Sequence, residues 1–202
     1  MITDVHCYNK ATGFGGVGIL VNLPGNSQTR IDNCYLDYNS IVMEDPVQVH
    51  VTNGFFLGGG NVVIKSVSGR ISGLNIVNNM FSGDPANLRP IVELDGQFSN
   101  IDQVVVDHNN AVGMAVKSTV GKLTVAGNGT RWVADFSGTL LFPNRITYMQ
   151  YGFYARGGVS GLALHGVTSV VNNTITVESD RVVDGMVSVT VDQYNAPGET
   201  GL

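Results

Sequence analysis

The chain has 202 residues, of which 43% are hydrophobic, 13% are charged and 26 are glycine, and its formal net charge is -5. The hydrophobic content suffices for a core, whereas the scattered charges exclude the basic patch of a nucleic-acid-binding protein. No apolar run reaches the length of a transmembrane helix, so we expect neither a nucleic-acid partner nor membrane insertion.

A nine-residue pattern recurs along the chain. It consists of an apolar residue, two free positions, an apolar residue, one free position, an apolar residue, two free positions and asparagine. Clear copies span residues 31–39, 71–79, 101–109 and 120–128, imperfect copies begin at Ile2 and Val159, and a degraded copy runs from Pro46 to Gly54. Self-similarity at the spacing of a coil predicts a solenoid.

The spacing within each copy predicts a short strand and a corner. The inner two apolar residues, such as Leu74 and Ile76, lie two apart, so both point to one face of a strand. Asparagine tolerates left-handed backbone and bonds main-chain groups at sharp corners. If every coil carries its asparagine at the same corner, we expect the amides to bond one another along the stack. The alternative is a coincidence of ordinary turn asparagines.

Further strands are predicted between and after the copies, and no segment has helical periodicity. They cover residues 17–21, 62–64, 91–94, 112–116, 132–136, 170–177, 182–183 and 186–191. Gly, Asn, Asp and Ser cluster around these runs, as turns require. The sequence therefore predicts an all-β protein, with a solenoid over residues 1–140. Residues 141–202 either finish the solenoid or form a separate β-rich C-terminal extension.

Cys7 and Cys34 both fall on inward positions of neighbouring copies. They either form a disulfide or, as we expect, remain buried free thiols that pack as small apolar residues. No metal-ligand spacing surrounds them, and we expect neither a metal nor a cofactor.

Glu93 and Asp95 are the best local pair of carboxylates. Glycoside cleavage needs two such groups, and these lie two apart on a predicted strand whose Val92 and Leu94 point inward. Arg89 and Ile91 then share the outward face with them, and the arginine is a candidate for holding a sugar. The alternative is structural: stacking of Leu94 under Val116 places Asp95 beside Lys117, with Asp135 continuing the row, as a lateral charge pair without catalytic role.

Asp107 is a third catalytic candidate. It lies outward beside the predicted strand 104–106 and is expected to face the same groove as acids on neighbouring coils. It is also an ordinary corner residue, as is His108 after it.

Aromatic side chains are the other candidates for carbohydrate binding, since exposed rings stack on sugar faces. Tyr151 and Tyr154 lie in an aromatic-rich segment, and Trp132 precedes it. The tyrosines are equally suited to a subunit interface, whereas the tryptophan is better explained as a core residue than as a sugar platform.

Taken together, the repeat, its asparagine corner, the glycine-rich turns and the variable coil length resemble right-handed parallel β-helix proteins of the pectate-lyase-like superfamily. The resemblance covers residues 1–136. Low charge, a start within the repeat and a non-repeating tail look most like a segment of a bacteriophage tailspike or appendage.

This resemblance implies a function and a location. A tailspike segment would form a homotrimer in the tail of the virion, attach to the host and bind, and in a depolymerase degrade, bacterial surface polysaccharide. Two alternatives remain open. One is a free extracellular polysaccharide lyase or hydrolase of β-helix type, and the other is a purely structural stalk.

Overall fold

A computed structural model describes residues 1–10, 15–157 and 161–195. The chain divides into two compact units, Met1–Ser118 and Thr119–Leu202, which are described separately. Within the described residues, no helix is long and apolar enough to cross a membrane.

The described residues of the first unit form fourteen short strands. In chain order they are β1 (Ile2–Thr3), β2 (His6–Tyr8), β3 (Gly16–Val21), β4 (Arg30–Asp32), β5 (Tyr35–Asp37), β6 (Asn39–Glu44), β7 (Val47–Thr52), β8 (Phe55–Leu57), β9 (Val62–Lys65), β10 (Arg70–Val77), β11 (Met80–Ser82), β12 (Val92–Asp95), β13 (Asn100–Asp107) and β14 (Asn110–Val112).

These strands form three parallel sheets that the chain visits in turn. The first sheet has the order β1-β4-β7-β10-β13, the second β14-β11-β8-β5-β2, and the third β12-β9-β6-β3. Every strand pairs with the strand one coil earlier or later, in parallel. The predicted parallel β-helix is therefore confirmed.

The register shows which repeats stack on one another. Val49 pairs with Leu74 and Val51 with Ile76, so the degraded copy is a true coil of the stack, as predicted. Ile31 also pairs with Val51 and thus lies in the row of Ile76. The copy that begins at Ile31 is therefore out of frame with the copy that begins at Ile71, although both fit the same pattern.

Rows of apolar side chains fill the interior between the three sheets. In the second sheet Leu36, Phe56 and Phe81 stack in register, and the two phenylalanine rings lie 4.4 Å apart. The third sheet contributes the row Ile41, Val62 and Val92. Removal of these side chains from water is the main stabilising contribution to the stack.

A left-handed residue turns each coil from the first sheet into the second. These residues are Asp4, Asn33, Asn53, Asn78 and His108, with φ between 51° and 59°. Asn79 and Asn109 of the repeat follow immediately, so they lie one position after the left-handed residue and not on it. Their side chains point inward and bond main-chain groups of the corner.

Asn39 occupies a different corner, between the second and third sheets, where its amide donates to the main-chain oxygens of Cys7 and Asp37 at 2.9 and 3.0 Å. This follows from the shifted frame of the copy that begins at Ile31. The expected amide ladder therefore links Asn79 to Asn109 but does not include Asn39.

Cys7 and Cys34 are free thiols, as expected. Burial raises the pKa of the Cys7 thiol, and the proximity of Cys34 raises it further. Both side chains therefore act as small apolar residues of the first coils.

The second unit is an antiparallel sheet. Its strands are β15 (Val120–Asp135), β16 (Tyr148–Ala155), β17 (His165–Val171) and β18 (Thr174–Asp192). The long strand β18 pairs with β15 along one side and with β16 and β17 in succession along the other. Trp132, Ile175 and Val189 belong to a core of its own.

Two copies of the repeat are not coils of the stack. The copy at residues 120–128 lies in β15, where Val125 pairs with Val187 in the antiparallel direction. In the copy that begins at Val159, residue 159 lies outside the described residues, and Leu162 and Leu164 are exposed. The copy at residues 120–128 is a strand without being a coil, because apolar alternation is the same in parallel and antiparallel sheets. Leu162 and Leu164, by contrast, precede β17 and lie in no strand.

Candidate carbohydrate-binding cleft

A cleft of about 310 Å³ opens in the first unit, at the corner between the second and third sheets. Turns of four successive coils meet there, because the coils stack in register. Its lining consists of Gly15, Tyr38, Gly58, Gly59, Asp84, Asn87 and Arg89.

A glycine-rich turn forms one wall of the cleft. Gly58 and Gly59 have φ of 64° and 81°, a conformation that favours glycine. A methyl group at Gly58 would overlap the ring of Tyr38, and one at Gly60 would overlap the main-chain oxygen of Asn39. The turn therefore packs directly against the preceding coil and supports the half-buried Tyr38 at the cleft.

Arg89 reaches the cleft from the loop between β11 and β12. Its Nη1 donates to the main-chain oxygen of Gly59 at 3.2 Å, and its Nη2 lies 3.5 Å from Asn61 Oδ1 and 3.9 Å from Glu93 Oε2. A Cβ at Gly15 would lie 3.4 Å from Nη1, so this glycine lies directly beside the guanidinium. The predicted sugar-binding arginine is thus a cleft residue.

Asn61 connects Arg89 to the predicted catalytic residue Glu93. It is 0% exposed, and its Nδ2 donates to Glu93 Oε2 and to the main-chain oxygen of Pro90, both at 3.2 Å. Ser40 donates to its Oδ1 at 2.8 Å. A buried amide with partners on both sides is held in one orientation.

Glu93 and Asp95 lie on the outer face of β12, as predicted, with Val92 in the interior. Asp95 stands in register with Lys65, whose Nζ lies 3.0 Å from Glu44 Oε1. The lateral charge row therefore exists, but its cation is Lys65. Lys117 does not stand beside Asp95 as predicted, because Ala115 pairs with Pro90 and shifts the register. Asp135 lies in the antiparallel sheet, where its partner is Thr174. Ile91, expected outward, is fully buried.

Asp107 lies on the first sheet, where it is in register with Val77, whereas Glu93 and Asp95 lie on the third. Its carboxylate is 2.9 Å from Nδ1 of His108, the left-handed corner residue. The structure therefore brings Glu93 and Arg89 together but places Asp107 on another face of the coil.

The aromatic candidates all belong to the second unit. Trp132 is 2% exposed and packs edge-on against Phe153, with ring centroids 5.0 Å apart. The Tyr151 hydroxyl lies 3.2 Å from Nδ1 of His165, and Tyr154 is 55% exposed. Of these three rings, Tyr154 presents the most surface to a ligand.

Sequence reasoning missed Tyr38, Asp84 and Asn87 as cleft residues. Asp84 and Asn87 lie in the long loop between β11 and β12, where the main-chain N–H of Asn87 donates to the oxygen of Asp84. The signal that could have found them is the length of this loop, since insertions in a solenoid often line its binding face.

No family model matches the chain. A search of curated proteins finds similarity to the protein named polygalacturonase QRT3 from Arabidopsis thaliana, at 49% identity over 197 residues. The match covers 96% of this chain but 40% of that protein. The structure defines the class of the protein as a parallel β-helix with an open cleft at one corner. The chain is a homologue of this plant protein.

The similarity overturns the tailspike prediction. A chain 49% identical to a plant polygalacturonase is not a phage tailspike segment, so the predicted host attachment, bacterial surface glycan and virion location are wrong. The homotrimer inferred from that resemblance loses its basis as well. The repeat predicts the fold but does not distinguish one branch of the parallel β-helix proteins from another. The similarity favours the alternative of a polysaccharide-active enzyme.

Proposed function

We propose that this chain is part of a polysaccharide hydrolase that acts on polygalacturonan, the acidic polymer of pectin. The observation that carries the proposal is the 49% identity to a protein named polygalacturonase over nearly the whole chain. Because the chain spans 40% of that relative, the activity of the whole protein belongs to the proposal. An extracellular location is proposed with it, since pectin lies outside the cell.

The cleft supports an acidic substrate. The chain has a net charge of -5, so a polyanion must be met by local positive charge. Arg89 lines the cleft with a side chain that is 40% exposed. A guanidinium matches the geometry of a carboxylate by offering two parallel N–H donors.

For catalysis we propose Glu93 and Asp95. Glycoside hydrolysis uses two carboxyl groups that flank the scissile bond, and residues two apart on a strand point to the same face. Glu93 is 44% exposed beside Arg89, and Asp95 is exposed on the same face. One would activate water while the other protonates the leaving oxygen.

Incubation of the chain with polygalacturonate tests the proposal. Hydrolysis releases reducing ends without forming double bonds, whereas a lyase forms an unsaturated sugar that absorbs ultraviolet light. We expect reducing ends, no new absorbance, and loss of activity in Glu93→Gln. Glu44→Gln is the matched control, because Glu44 lies on β6 of the same sheet and pairs with Lys65. Unsaturated products, or no reducing ends, would overturn the proposal.

A further inference from the structure

We infer that Asn61 is a positioning residue of the cleft, whose buried amide holds the Arg89 guanidinium towards the ligand and so favours glycans that carry carboxylates. The inference rests on the proposed function and deepens it, because it assigns the recognition of substrate charge to a residue that does not line the cleft. It concerns binding and requires no particular catalytic residue.

The position of Asn61 is fixed by the turn that precedes it. Gly58 and Gly60 allow this turn to lie directly against the preceding coil, and the main-chain oxygen of Asn61 accepts from the N–H of Ile41 at 3.0 Å. The main-chain N–H of Asn61 and the Ser40 hydroxyl lie 3.3 Å apart. The backbone and side chain of Asn61 are thus both held by β6 of the preceding coil, and Asn61 itself lies one coil from Arg89.

The amide of Asn61 has different partners at its two ends. Its oxygen lies towards the donors of Ser40 and Arg89, and its nitrogen donates to Glu93 and Pro90. A rotated amide would place a nitrogen against the Ser40 hydroxyl and Arg89, and an oxygen against the Glu93 carboxylate. Only the observed orientation is therefore compatible with both charged neighbours.

Arg89 is held on one side and open on the other. Gly59, Asn61 and Glu93 contact its two terminal nitrogens, and a guanidinium has five N–H donors. Among the described residues that line the cleft, Arg89 is the cation. Its donors that face the cleft are therefore the groups suited to a carboxylate.

The charge around the cleft makes this positioning necessary. Asp84 also lines the cleft, where its Oδ1 accepts from the main-chain N–H of Ala86 at 2.9 Å, and Glu93 lies beside Arg89. An arginine that was not held would turn its donors onto one of these carboxylates and away from an anionic ligand, and the other carboxylate would then repel that ligand. By bonding both Arg89 and Glu93, Asn61 keeps the guanidinium between its carboxylate partner and the cleft.

The test is the affinity of Asn61→Ala for trigalacturonate, measured by calorimetry against its methyl ester. Loss of one charge-assisted hydrogen bond weakens binding about tenfold or more, and we expect that loss for the acid but not for the ester. Asn79→Ala is the matched control, since Asn79 is equally buried but lies at the corner between the first and second sheets. Ser40→Ala, which removes the contacts of the Ser40 hydroxyl with the side-chain oxygen and the main-chain N–H of Asn61 but keeps the Asn61 amide, is the milder second variant, should Asn61→Ala fail to fold.

A ligand-independent readout separates failure of this inference from failure of the proposed function. The Nη2–H resonances of Arg89, the donors that face Asn61, should show slow solvent exchange in the wild-type chain and faster exchange in Asn61→Ala or Ser40→Ala, but not in Asn79→Ala. An unchanged resonance, or equal affinities in Asn61→Ala and the wild-type chain, would overturn the positioning role. If the wild-type chain binds no trigalacturonate, the proposed substrate is wrong, and the resonance alone decides whether Asn61 holds Arg89.

Discussion

The Asn79 side chain donates from Nδ2 to Oδ1 of Asn109, one coil further along the stack, at 3.0 Å. The same Asn109 oxygen accepts the main-chain N–H of Asn79 at 2.9 Å, and Asn79 Oδ1 accepts the N–H of Gly54 at 2.9 Å. One asparagine thus joins three successive coils. The corner between the first and second sheets is held by this ladder as well as by apolar packing.

Asn79→Ala should lower the free energy of unfolding by about 3 kcal/mol, because each buried donor or acceptor left without a partner costs about 1–3 kcal/mol. Asn79 is fully buried, and its loss leaves the N–H of Gly54 and the oxygen of Val51 without this partner. Urea unfolding measures the change. Asn110→Ala, at an exposed position on β14, should change the free energy of unfolding by less than about 0.5 kcal/mol. Equal effects of the two substitutions would contradict the ladder.

Asp45 should make the stability of the first unit depend on pH. Burial of this carboxyl, the largest single influence, raises its pKa, but hydrogen bonds from the Ser68 side chain and from the main-chain N–H groups of Val67, Ser68 and Arg70 together hold the pKa below its usual value. Its contribution is therefore present above the unfolded pKa of about 3.9 and is lost as pH falls through the lower folded pKa.

Asp45→Asn should consequently cost about 1–3 kcal/mol at neutral pH and less in acid. Urea unfolding of both proteins at neutral pH and at the lowest pH at which both still fold checks this, because the contribution of Asp45 is lost as pH falls through its folded pKa. Asp95→Asn replaces an exposed carboxylate of the third sheet and should change little at either pH. A difference between wild type and Asp45→Asn that is independent of pH would contradict the account.

Gly58→Ala should damage the cleft more than Gly59→Ala. Both glycines have left-handed backbone, which costs a residue with a side chain about 1–2 kcal/mol. A methyl group at Gly58 would also overlap the Tyr38 ring, whereas nothing lies within 4 Å of the corresponding position at Gly59. The midpoint temperature of thermal unfolding and the affinity for trigalacturonate should therefore both be lower in Gly58→Ala than in Gly59→Ala. Equal losses in the two variants would show that Tyr38 does not depend on this packing.

Asp84→Asn should strengthen binding of an acidic glycan, because Asp84 lines the cleft with a charge of the same sign as the ligand. Two charges about 4 Å apart in water interact by about 1 kcal/mol, so we expect an increase in affinity of up to about fivefold at low salt. The gain should shrink at high ionic strength. Asp4→Asn makes the same charge change at another corner and should leave affinity unchanged; weaker binding by Asp84→Asn would contradict this.

The scaffold was predictable from the sequence to the extent that its interior is periodic. Inward pairs such as Leu74 and Ile76 identify strands, and the recurrence of the pattern identifies stacking. The frame was not predictable, because Ile31 and Ile71 open identical patterns at different positions of the coil. The direction of β15 was not predictable either, because the apolar alternation around Val125 is the same in a parallel and in an antiparallel sheet.

The site was less predictable, because a solenoid assembles it from residues one or more coils apart. Arg89 and Glu93 are close in sequence, so the strand pattern alone places them on one face. Tyr38 and Asn61, by contrast, reach the site only through stacking of their coils on the loop that carries Arg89. The repeat identifies residues that stabilise the fold, whereas the cleft consists of residues between the repeated positions.

Chemical-shift mapping with trigalacturonate tests the central claim most directly, because it locates the ligand without requiring turnover. The account predicts that the main-chain resonances of Tyr38, Gly58, Gly59 and Arg89 move on titration, and that Arg89→Ala abolishes the change. An absence of shifts in the wild-type chain, or shifts confined to the second unit around Tyr154, would contradict it.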